Sequence, residues 1–175
     1  MVRLKTPLKK QDLAKLKVGT EVFLTGLIYT ARDRAHKRLV ELIKKGKKLP
    51  LDLNNKIIYY CGPNIKDNEL MSAGPTTSQR MDPFLEELLK KGLIAVIGKG
   101  KRSDKARELF RKYKSVYFLT YAGCGAYLRK RILRFRLIAF KELGPEAIYE
   151  FEVKDFPLIV GIDAQGRDIF KKKGV

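Results

Sequence analysis

Three fixed cations stand where an apolar run gives way to a loop or a helix start. Arg32 follows the β-rich run Glu21 to Tyr29, Arg80 precedes the helix signal Asp82-Pro83, and Lys99 follows the apolar run Leu93 to Ile97. Loop N–H groups near a helix N-terminus, with an Arg or Lys beside them, hold carboxylate or phosphate, and open α/β sheets place ligands at the C-terminal ends of their strands. One such arginine alone reads most simply as a surface ion pair. Three such cations at corresponding strand ends weaken that reading and share a preference for carboxylate or phosphate.

Neighbouring residues narrow the chemistry. Gly98-Lys99-Gly100 does not satisfy the phosphate-loop pattern G-x-x-x-x-G-K-[ST], because Lys99 follows its first glycine directly, so an ATP site is rejected. Thr76 and Thr77 read as turn residues whose hydroxyls satisfy nearby backbone groups. His36 lies at the border of a helical apolar stripe and reads as a helix-edge residue before a general base. Cys124, between Gly123 and Gly125, has no evident base beside it and reads as part of a tightly packed glycine turn.

The elements that must carry these residues follow from periodicity. Glu21 to Tyr29 is a strand that runs into Thr30-Ala31-Arg32-Asp33, a capping-box-like pattern with Thr30 as the cap and Asp33 reaching back. The helix continues to about Lys45, with Ala35, Leu39, Leu42 and Ile43 at helical spacing and Gly46 as its stop. Arg32 then projects along the stripe side, just inside the helix. Lys56 to Tyr60 is a second strand, and Met71 to Met81 a loop. Asp82 is the N-cap of a helix that buries Phe84, Leu85, Leu88 and Leu89. Leu93 to Ile97 and Ser115 to Thr120 are strands around a helix from Ser103 to Tyr113. A short helix with Leu128 and Ile132 follows, then strands at Phe135 to Phe140, Ala147 to Val153 and Leu158 to Ile162, with a turn at Asp163 to Arg167. Alternating strands and helices with a β-rich C-terminal third predict an α/β layered domain with a mixed sheet.

Composition agrees. A chain of 175 residues with 45% hydrophobic residues carries enough core for one ordinary domain, residues 1–175, without linkers or repeats. No apolar run approaches the roughly 18 residues of a membrane span, and Met1 to Lys17 shows no secretory signal, which predicts a cytoplasmic protein. Cys61 and Cys124 are expected as free thiols; with His36 alone beside them they cannot build a structural zinc site. The chain is strongly basic, +19 overall, and unevenly so. Gly98 to Arg136 holds 13 basic residues against Asp104 and Glu108, a local +11, whereas Lys141 to Asp168 holds three basic against seven acidic residues, a local −4. Such a balance suits nucleic acid, an acidic protein surface or anionic substrates, and charge does not choose among them.

The segments Thr25 to Asp33 with Ala35-His36-Lys37-Arg38, Tyr60 to Pro63, Gly74-Pro75-Thr76-Thr77-Ser78 with Arg80-Met81, Ile97 to Gly100, and Tyr121 to Ala126 resemble the β subunit of the iron-sulfur class I fumarate hydratases. Glu146-Ala147 and Phe156-Pro157 extend the likeness over nearly the whole chain, and tartrate dehydratase β subunits are similar. The resemblance implies a swivelling β/β/α-type domain that closes over a partner α subunit, in an αβ pair or an (αβ)2 assembly. That partner would carry three cysteines and a [4Fe-4S] cluster with one open iron; this chain would bind no metal and be inactive alone. The implied reaction is the reversible hydration of fumarate to L-malate, a step of the tricarboxylic acid cycle, with L-tartrate dehydration as the alternative. Carried over by motif, Arg32, Arg80 and Lys99 would bind the dicarboxylate, Thr76 would be the base at the C3 proton, and His36 would support the site. Lys101 departs from the small polar residue commoner after the second glycine. In such chemistry an open iron acts as a Lewis acid, while arginines stabilise the developing aci-carboxylate.

A basic nucleic-acid-binding module using Arg129 to Arg136 and the tail Lys171 to Lys173 is the competing reading. The chain shows no helix-turn-helix, RRM or KH signature, so no specific nucleic-acid partner is expected.

Overall fold

The structure is a computed structural model, and it describes residues 1–171. Strand β1 (Val2–Lys5) and a short helix α1 (Lys10–Ala14) precede β2 (Glu21–Thr30), α2 (Asp33–Lys44) and β3 (Ile57–Tyr59). A hairpin of β4 (Asn64–Lys66) and β5 (Glu69–Ser72) leads through a 3-10 turn at Ser78–Met81 into α3 (Asp82–Lys90). Then come β6 (Ala95–Gly98), α4 (Asp104–Tyr113), β7 (Val116–Leu119), α5 (Gly125–Arg129), β8 (Ile132–Ala139), a second 3-10 segment (Lys141–Glu146) and β9 (Ile148–Ile162). No helix among the described residues is long and apolar enough to cross a membrane.

The fold is mixed α/β around a mixed sheet. Strands β1, β2, β3, β6 and β7 run parallel in that order, and β9 pairs antiparallel with β7. The layered expectation needs amending here, because β9 also pairs antiparallel with β2, from Glu21↔Ile159 to Tyr29↔Glu150. Five strands, β2-β3-β6-β7-β9, thus close into a partly barrel-like ring, with β8 added outside on β9.

Period-2 alternation explains the two cores. Ile57 and Tyr59, Ala95 and Ile97, and Val116 and Phe118 face the ring interior, together with Leu24, Phe156 and Val160. Ile58, Val96 and Tyr117 face the other way, under Leu39 of α2, Leu85 and Leu88 of α3 and Phe110 of α4. Strands buried on both faces read as continuous apolar runs, which is why Leu93 to Ile97 shows no alternation.

Four local expectations are corrected. Thr30 does not cap α2; it ends β2 fully buried, and its hydroxyl accepts from the Tyr149 N–H at 3.1 Å. The first turn of α2 is held instead by Glu146, whose carboxylate accepts from the Arg34 N–H at 3.2 Å. Asp82 is not the N-cap of α3, a position taken by Met81, because its carboxylate is drawn away to Arg102 and to the N–H of Ser103, the true N-cap of α4. Ile132 opens β8 rather than continuing the short helix. The two C-terminal strands are one, β9, carrying Asp155 at φ +48 and Pro157 where the strand bends to reach both β2 and β7. The turn at Asp163 to Arg167 is present, wound around the buried Asp163 carboxylate, which accepts from the N–H groups of Val18, Gln165 and Arg167. Of the Lys171 to Lys173 tail, Lys171 pairs with Asp104, and Lys172 and Lys173 lie outside the described residues.

Candidate active site

Arg32 sits where β2 hands over to α2. It is the N-cap, in an extended conformation, rather than a residue inside the helix. Its carbonyl accepts the His36 backbone N–H at 2.9 Å and lies 2.7 Å from His36 Nδ1. A carbonyl only accepts, so Nδ1 carries the proton. The His36 ring is fully buried rather than at the helix edge, 5.3 Å from Tyr60 and 5.9 Å from Phe84. Burial pushes its pKa down to about 4, which keeps the imidazole neutral near pH 7. The Arg32 stem lies against Gly62, where an added Cβ would come within 2.8 Å of Arg32 Cδ. Its Nε–H is buried with no acceptor; the nearest carboxylate oxygen, on Asp33, is 3.9 Å away. A buried guanidinium donor left open is the feature an anionic ligand would complete.

Thr76 and Arg80 lie on the loop and 3-10 turn that precede α3. The Thr76 N–H donates to the carbonyl of Tyr60, just past the end of β3, at 2.8 Å, which fixes the loop over the strand. One turn on, Arg80 Nη2 donates to Thr76 Oγ1 at 2.7 Å. The same nitrogen donates to Asp33 Oδ2 at 3.2 Å, and Arg80 Nε faces Asp33 Oδ1 at 3.2 Å. Arg32, Asp33, Thr76 and Arg80 therefore converge from two separate strand ends.

Lys99 follows β6 and is tied to that loop by backbone. Ser78 N–H donates to the Lys99 carbonyl at 3.1 Å, and Lys99 N–H donates to Ser78 Oγ at 3.0 Å. Tyr117 Oη lies 2.9 Å from both Ser78 Oγ and the Gly100 carbonyl. One proton order satisfies all of them: Lys99 N–H to Ser78, Ser78 O–H to Tyr117, and Tyr117 O–H to Gly100. Gly98 is required here because a Cβ would fall 1.9 Å from Ser78 Oγ. Among the described residues the Lys99 ammonium has no carboxylate partner.

Sequence reasoning missed Asp33 as a partner of Arg80, Ser78, Tyr117 and a buried cation. The Arg102 side chain is fully enclosed, ion-paired to Asp82, with its guanidinium carbon 4.9 Å from the Tyr117 ring centroid and 5.3 Å from those of Tyr60 and Phe110. Arg102 is one charge in a basic run, and no local pattern sets it apart; the hint was the alignment of Asp82 and Arg102 at the starts of successive helices. This aromatic box joins α3, α4 and the Lys99 loop.

A surface cavity of about 700 Å³ lies elsewhere, lined by Val18, Arg107, Arg111 and Arg167. Its cations are already matched: Arg107 and Arg111 by Glu108, Arg167 by Asp163 and Lys171 by Asp104. The strand-end residues differ: Arg32 and Arg80 share one ion-pair partner, Asp33, and among the described residues the Lys99 ammonium has none. Cys61 is buried, its thiol pKa raised by that burial, and Cys124 is exposed. Among the described residues no three His, Cys, Asp or Glu side chains gather to hold a metal, and two cysteines cannot supply three thiolates, so this chain does not fit a resident iron-sulfur cluster.

Comparison with known proteins agrees with the motifs. A protein of Methanocaldococcus jannaschii named "Putative L(+)-tartrate dehydratase subunit beta" is 44% identical over 173 residues, covering 94% of this chain and 89% of its own length. The L(+)-tartrate dehydratase subunit beta of Escherichia coli strain K12 is 38% identical, covering 95% and 85%. A Geobacillus stearothermophilus protein named "Putative fumarate hydratase class I" is 36% identical over 97% of this chain, which spans 33% of that longer protein. The profile of the Fumarase C-terminus family matches residues 1–173, and the chain belongs to that family.

Proposed function

We propose that residues 1–175 form one unit, the β subunit of an iron-sulfur hydro-lyase that adds water reversibly to fumarate to give L-malate. Its cluster would be carried by a partner α subunit, over which the strand-end face closes. The observation that carries this reading is the convergence of Arg32, Arg80 and Thr76 around Asp33, with a buried Arg32 N–H left open. Arg32 and Lys99 would take the substrate carboxylates together with Arg80. Thr76 would remove the C3 proton. A threonine hydroxyl is a very weak base, and a guanidinium donating to its oxygen favours the alkoxide, which assigns Arg80 an activating part. The neutral His36 would hold Arg32 in place through the Arg32 carbonyl.

Dehydration of L-tartrate is the second reading, favoured by the names of the relatives from M. jannaschii and E. coli. The two reactions share a C4 dicarboxylate and differ by one hydroxyl, which needs its own polar partner. Anaerobic co-expression with a cluster-bearing chain, followed by kcat/KM for fumarate, L-malate and L(+)-tartrate, separates them. Turnover of none of the three in an iron-replete complex refutes the hydro-lyase reading.

A further inference from the structure

Resting on that reading, we infer that Asp33 is a positioning residue that occupies one edge of the Arg80 guanidinium and thereby sets how a substrate carboxylate is held. Asp33 meets the Nε and Nη2 side, with both separations at 3.2 Å. The other Nη2 proton is directed at Thr76 Oγ1. Of the five guanidinium protons, those on Nη1 remain, and Nη1 has no partner among the described residues. The substrate carboxylate therefore reaches Arg80 through Nη1, while the Asp33 contact fixes the guanidinium plane that aims Nη2 at Thr76.

Stability does not explain the pair. The Asp33 and Arg80 side chains are 37% and 46% exposed, and exposed ion pairs contribute little to folding. An arrangement that spends one carboxylate inside a site for dianions works against affinity. What it secures is a single orientation for Arg80, and with it the Thr76 contact.

The signs follow. Asp33→Asn removes the negative charge beside Arg80 and leaves a single neutral amide oxygen on its Nε and Nη2 edge, so KM and the Kd for succinate, a non-reacting dicarboxylate, fall by about tenfold. Thr76 loses its fixed donor, so kcat falls by at least about tenfold. The experiment measures kcat and KM of the Asp33→Asn complex with its cluster-bearing partner, and succinate affinity by calorimetry. A fall in both KM and kcat, with tighter succinate binding, supports the proposal. A raised KM with lowered kcat, or unchanged values, overturns it. Arg80→Lys is measured alongside: if it too is unchanged, the site reading fails with the inference, whereas a damaged Arg80→Lys with a neutral Asp33→Asn rejects the inference alone.

Discussion

Ser78 and Lys99 exchange two hydrogen bonds, the Ser78 N–H to the Lys99 carbonyl at 3.1 Å and the Lys99 N–H to the Ser78 hydroxyl at 3.0 Å. Ser78 is fully buried and sits between Thr76 and Arg80 in sequence. The clasp makes the loop after β3 and the loop after β6 one body, so three of the four proposed substrate-facing residues are set relative to one another by a side chain that touches no substrate.

Gly98→Ala tests the clasp, since the new methyl would overlap Ser78 Oγ and press on Tyr60. Overpacking of this kind costs about 1–3 kcal/mol. Denaturant unfolding should show that loss, and kcat/KM in the assembled complex should fall further than stability alone accounts for. Wild-type kinetics in the Gly98→Ala variant would remove the clasp from the site.

Arg80→Lys keeps the charge and removes the planar donor set that meets Asp33 and Thr76. Loss of one charge-assisted hydrogen bond corresponds to about 1.5–3 kcal/mol, so kcat/KM should drop roughly 10- to 150-fold. Lys44→Gln, an exposed change at the far end of α2, should leave it unaltered. Steady-state assays with iron content as the control decide between them.

His36 links stability to pH. Its pKa is near 4 in the folded chain and about 6.5 unfolded, so between these values the unfolded state binds more protons and stability falls as pH falls. Above about pH 6.5 the contribution is complete; by pH 4 roughly 3 kcal/mol is lost. His36→Gln, whose amide can still donate to the Arg32 carbonyl, should flatten the unfolding free energy over this window. An equally steep dependence in that variant would show that other groups set it.

Arg102→Leu should destabilise the fold by roughly 3–5 kcal/mol, because Asp82 would keep a largely buried charge without its partner. Asp82→Asn in the same background should recover part of that loss. Thermal unfolding of the single and double variants measures the coupling.

Much of this was legible in the chain because periodicity and local signals agreed. The helix after Arg32 and the apolar strands at Ile57 and Ala95 followed from spacing, and the structure sets Arg80 against Thr76 and Asp33, next to Arg32 in sequence, with the Lys99 backbone tied to the same loop. The caps misled because Thr30 and Asp82 carry the right side chains but are claimed by distant partners, Tyr149 and Arg102. A buried arginine among three aromatic rings has no sequence period. Ring closure was also hidden, since the pairing of β2 with β9 joins residues 138 positions apart, Glu21 with Ile159.

That pairing has a consequence for synthesis. Until β9 emerges, β2 and β7 each present an open edge and the ring interior lacks Phe156 and Val160. Closing so long a loop comes late and slowly, and unpaired edges recruit other chains in the interval. A chain released at residue 147, before β9, should therefore accumulate as aggregate, while its full-length counterpart becomes protease-resistant only after its last strand has left the ribosome.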